Sequence, residues 1–202
     1  MWSDLEAVAI EGRTMFFDSE CRPLSYLSGD YTTGEVTAIA WSFDDEEQVH
    51  CELLSQAIGS LDSMLQKFAK AWDATDLAVG HYIKGHDLPV INGALMEQGL
   101  DPLSPKLVQD SKSDLLVSRY ISLSQESLAA MLGLDQPKLH MTQADWRSAN
   151  RLEPDGLKKT HDRVVADVEQ NRAMYEKLKE RGWLGVPKLW DPSQAKSFRY
   201  KP

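Results

Sequence analysis

The chain has 202 residues, 42% hydrophobic and 26% charged, enough apolar material for a sizeable core. Its net charge of −9 argues against broad non-specific attraction to nucleic acid, and its apolar runs are too short to span a bilayer. Two cysteines, Cys21 and Cys51, supply neither a disulfide framework nor a CxxC metal pattern. The N-terminus has no secretion-signal pattern, so the expected setting is the reducing cytoplasm.

In chain order, residues 14–18 read as a buried strand that runs from Met15–Phe17 straight into Asp18 and Glu20. "EVTAIAWSF" (35–43) and "VHCELL" (49–54) are rich in β-formers and flank the polar turn "DDEE", which predicts an antiparallel hairpin. Ile58, Leu61, Leu65, Phe68 and Trp72 then recur at three- and four-residue steps, the apolar stripe of a helix. "DLAVGH" (76–81) predicts a second buried strand. "LPVINGALMEQG" (88–99) predicts a helix stopped by Gly99, and Asp87 with Pro89 suits its N-cap.

"PKLVQD" predicts a short strand ending at Asp110. Ser124 caps a helix that Gly133 ends, and Thr142 with Asp145 starts a short helix carrying Trp146. A long closing helix is expected from Pro154 to Gly182, with Leu157, Val164, Val168, Tyr175 and Leu178 inward. Three strands, then alternating helix and strand, point to an α/β fold with a mixed sheet flanked by helices. One domain is expected over residues 1–186. The remainder, 187–202, is a basic tail with Lys188, Lys196, Arg199 and Lys201.

Four carboxylates stand in awkward places. Side chains alternate along a strand, so Asp18 and Glu20 face the same way and repel unless a cation holds them. Asp87 follows a buried strand and opens a helix. At about 100° per residue, Asp167 falls near −60° from Val164, on the flank of the apolar face, where an ionised carboxylate needs a partner.

In this order the acids resemble those of the DEDD, proofreading-type 3′–5′ exonucleases of the ribonuclease H-like superfamily, including stand-alone and phage-type members. "FFDSE" looks like the first motif, "VGHYIKGHDLPVING" the second and "RVVADVEQNRAMYEKL" the third. The resemblance implies a ribonuclease H-like sheet and two Mg²⁺ or Mn²⁺ ions on Asp18, Glu20, Asp87 and Asp167. It also implies two-metal hydrolysis at the 3′ end of single-stranded DNA, with a DNA polymerase as a partner in trans and no membrane association. An RNA substrate, or a catalytically weak module binding nucleic acid or polymerase, are the alternatives.

The pattern departs at Cys21, Tyr82 and His86, where the family usually carries Thr, Asn and Phe. The family's His or Tyr before the last Asp is replaced by Asp162 or Arg163. Arg163 cannot be a base, but can clamp a phosphate or neutralise the acids. His161 is the candidate base on chemical grounds. It lies six residues before Asp167, about 240° around a regular helix, so only a helix break brings it inward. His81 and His86 are held in reserve.

Overall fold

The computed structural model describes residues 12–23, 34–54, 61–117, 120–134 and 139–194. β2 (Gly34–Phe43) and β3 (His50–Leu53) form the expected antiparallel hairpin, and β1 (Thr14–Pro23) pairs antiparallel with β2. β4 (Leu77–Gly80) then joins β1 in parallel, and β5 (Lys106–Asp110) joins β4 in parallel. The sheet order is β3-β2-β1-β4-β5-β6, with β6 (Lys188–Trp190) antiparallel on the β5 edge. β6 lies within the stretch read as a tail. Its Trp190 ring meets Trp72 edge-on at 5.7 Å, so a tertiary contact orders a segment with no strand signal of its own. Residues 195–202 of that tail, and Ile58 of the first apolar stripe, lie outside the described residues.

The period of two along β1 divides the core. Met15 and Phe17 point to one face, where α1 (Leu61–Asp73) and α2 (Asp87–Glu97) bring Phe68, Trp72, Leu88 and Ile91. Phe16 points to the other face, against Val164, Val168 and Tyr175 of α5 (Pro154–Glu180). Each fully buried side chain of this size contributes roughly 1.5–3 kcal/mol, so both layers hold the central strand. α3 (Gln125–Met131) packs Leu128 and Ala129 against Met174 and Leu178, further along α5. α4 (Gln143–Asn150) precedes α5 and starts on the expected Thr142–Asp145 capping box.

Helix ends follow the sequence closely. Ser124 caps α3 through the Ser127 amide, and Pro154 opens α5. Gly99 and Gly182 sit at φ +68° and +67° just past α2 and α5, a region glycine enters without strain.

Two local expectations are corrected. β1 does not end at residue 18; its pairing with β2 runs to Pro23 through a register shift at Glu20/Cys21, so both acids stand inside the strand. Asp87 is the first residue of α2 and not its N-cap, because its carboxylate is turned toward Ser19 of β1. No helix among the described residues is long and apolar enough to cross a membrane.

Candidate metal centre

The parallel strands β1, β4 and β5 all run toward one end of the sheet, and the loops after β4 and β5 gather there beside the continuing β1. Parallel α/β sheets place ligands outside the carboxyl ends of their strands. Asp18 and Glu20 share the parity of Phe16 along β1, so they point to the α5 side. Asp167 lies between Val164 and Val168 on α5 and is only 3% exposed. One carboxylate oxygen from each of Asp18, Glu20 and Asp167 comes within 4.8 Å of the others. Three separate sequence positions thus converge on one cluster.

Asp87 lines the same pocket but stands outside that three-oxygen cluster. The reason is parity. Ser19 faces the α2 side, and its amide (3.1 Å) and hydroxyl (2.5 Å) both donate to Asp87 Oδ1. Burial pushes the Asp87 carboxyl above its ordinary value, opposed by the Ser19 hydroxyl, the neighbouring His86 and backbone amides. A divalent cation beside it would restore the ionised form.

Arg163 is a counter-charge already present among the described residues. Its Nε donates to Glu20 Oε1, an Nη lies 3.9 Å from Asp167 Oδ2, and the other Nη donates to the Leu139 carbonyl at 2.7 Å. The guanidinium also lies 5.5 Å from the Trp146 ring centroid. Burial opposes its charge, but Glu20, Asp167 and Asp18 outweigh burial and raise its pKa.

Among the described residues, Arg163 brings positive charge to these three clustered acids. The donors are all carboxylate oxygen, two half-buried and one buried, which is the chemistry of a site for hard cations such as Mg²⁺ or Mn²⁺. The residues therefore fit the implied metal.

The histidines separate clearly. α5 is continuous from Pro154 to Glu180, so His161 points outward as a regular helix requires. Its side chain is 47% exposed, contacts Asp162 at 3.2 Å and does not line the pocket. His81 and His86 do line it; His81 Nδ1 meets Ser111 Oγ at 2.9 Å, and His86 Nε2 lies 3.8 Å from Cys21 Sγ.

Three participants escape a residue-by-residue reading. Ser19 orients Asp87, Gln125 donates to the Asp167 carbonyl at 3.2 Å, and Asp110 organises the two neighbouring loops. Only Asp110 carried a signal, as another acid ending a buried strand.

No family model matches the chain, and no curated protein matches it. Among solved structures, the family B DNA polymerase from the hyperthermophilic archaeon Pyrobaculum calidifontis is similar, with a TM-score of 0.60 over 83% of this chain. The fold is ribonuclease H-like. Identity to the polymerase is 16%, so the likeness speaks for fold alone, and this chain spans 24% of the polymerase's length.

Proposed function

We propose that this chain is a DEDD-type, metal-dependent 3′–5′ exonuclease acting on single-stranded DNA. The observation that carries the reading is the meeting of Asp18, Glu20 and Asp167 between β1 and α5. Asp18, Glu20 and Asp167 would hold divalent cations, with Asp87 completing the set from the α2 side. When bound, two such ions supply Lewis-acid activation of the attacking water and charge relief on the departing 3′ oxygen.

The chain's own residues do the positioning. Ser19 holds the Asp87 carboxylate in one orientation, and Gln125 ties α3 to α5 at Asp167. Arg163 restrains Glu20 and brings positive charge to a site that must accept a phosphodiester. His161 stays outside, so His81 and His86 are the histidines that line the pocket. DNA ahead of RNA, and a DNA polymerase as partner in trans, are part of this proposal; the solved structure of similar fold is a DNA polymerase. The test is end-labelled single-stranded DNA with Mn²⁺ or with EDTA, beside an RNA strand of the same sequence. Stepwise shortening from the 3′ end, with Mn²⁺ only, is expected. A ladder from the 5′ end, or cutting of circular strands, overturns the reading.

The placement of Arg163 against Glu20 favours a second reading, a weakly catalytic module that binds nucleic acid. Binding without Mn²⁺-dependent shortening would select it.

A further inference from the structure

In the same pocket as the acids, Tyr82 and Lys112 form a second group of side chains that metal chemistry leaves unused. Asp110, fully buried at the end of β5, organises it. Its Oδ1 accepts the amides of Tyr82 (3.0 Å), Lys112 (2.9 Å) and Ser113 (3.0 Å), and its Oδ2 accepts that of Lys84 (3.1 Å). One carboxylate thus binds the loop after β4 to the loop after β5.

The result is a fixed pair. Lys112 Nζ stands 3.9 Å from the centroid of the Tyr82 ring. Tyr82 has φ +65°, a left-handed conformation strained for a non-glycine residue; the residue is 42% exposed and lines the pocket. A Cβ at Gly85 would lie 2.5 Å from Tyr82 Cε2, so the ring position depends on glycine there. Backbone strain, a buried acid and a glycine all serve to place one aromatic ring under one ammonium group.

Among the described residues, the lysine and arginine side chains lining this pocket are Arg163 and Lys112. Arg163 is engaged by Glu20, whereas no carboxylate pairs with the Lys112 ammonium among the described residues. In a chain of net charge −9, a phosphodiester strand depends on such local cations.

Resting on the exonuclease reading, we infer that Tyr82 and Lys112 form a grip for the sugar-phosphate backbone of the single strand. Lys112 pairs with a phosphate other than the one cleaved. The Tyr82 face holds the ammonium in place, through attraction between the cation and the ring quadrupole. The contact reads backbone charge and carries no base preference.

The experiment measures fluorescence anisotropy of a labelled oligo-dT with the full chain in Ca²⁺ across a KCl series, alongside steady-state cleavage in Mn²⁺. Lys112→Ala should weaken binding about tenfold and flatten the log–log salt slope by about 0.7, the share of one phosphate contact on a single strand. KM should rise with kcat within a few-fold. Lys112→Arg and Tyr82→Phe should stay near wild type, and Tyr82→Leu should weaken binding several-fold. Wild-type affinity and slope in Lys112→Ala, or a loss of kcat at unchanged KM, overturns the grip, as does a wild-type chain that does not bind. A wild type that binds with the expected slopes but does not cut removes the exonuclease reading and leaves the grip standing.

Discussion

The guanidinium of Arg163 on α5 pairs with the carboxylate of Glu20 on β1, bridging the two elements that supply the acid cluster. A turn further along α5, its Nη stands 3.9 Å from Asp167 Oδ2. Arg163 thus offsets repulsion that a bound cation would otherwise relieve. Arg163→Ala should destabilise the EDTA-treated protein by about 1.5–3 kcal/mol, the range for a hydrogen bond to a charged group. Mn²⁺ should then raise its melting temperature by more than it raises that of wild type, because metal stabilises only the assembled site. An equal loss with and without Mn²⁺ would reduce Arg163 to a packing role against Trp146.

Asp87 makes stability depend on pH. Burial raises its folded-state pKa above the ordinary 3.8, so the folded chain binds a proton that the unfolded chain has released. Metal-free stability from this group is therefore lost as pH rises from near 3.8 through the folded value. Asp87→Asn keeps an acceptor for Ser19 and removes the charge. In EDTA it should be more stable than wild type at pH 7, with the gap closing toward pH 4. In Mn²⁺ the order should reverse. Urea denaturation at both pH values measures this, and a pH-independent gap would count against the buried charge.

Removal of individual side chains should separate the residues of the pocket from His161. Asp167→Ala should lower exonuclease turnover by at least about 10²-fold with the fold retained, since it removes a buried cluster oxygen. His161→Ala should stay within a few-fold of wild type, because the side chain faces solvent beside Asp162. Loss of whichever of His81 and His86 serves as base should cost about 10²–10⁴-fold. Single-turnover rates with end-labelled DNA provide the comparison. Wild-type turnover in a folded Asp167→Ala chain would remove the four-acid centre.

Gly156 controls how α4 meets α5. A Cβ there would lie 2.1 Å from the Ala149 nitrogen and 2.3 Å from the Ser148 carbonyl carbon, both backbone. No side-chain rotation relieves that overlap, so Gly156→Ala should cost at least about 1–3 kcal/mol by urea denaturation. The displaced α4 carries Trp146, so the stacking of Arg163 should loosen as well. A fully stable variant would mean that α4 docks elsewhere.

How much was legible follows from the range of each force. Strand parity, a property of one chain segment, already placed Asp18 and Glu20 on one side. Helical period put Asp167 on the flank of α5 and turned His161 away, and α5 is unbroken as that geometry requires. The caps at Ser124 and at Thr142 with Asp145 were equally visible, because each bond spans only three residues. None of this depends on which strands are neighbours.

The sheet order does, and it decided everything that crosses between segments. β1 lies between β2 and β4, which sets Ser19 against Asp87 and carries that carboxylate off the helix cap toward the strand. α5 over β1 joins Arg163 to Glu20, and β4 beside β5 lets Asp110 hold both loops. β6 exists through pairing with β5 and contact with Trp72. Periodicity tells which way a side chain points. Only tertiary packing determines what it meets there, because that partner comes from a segment whose position no local pattern records.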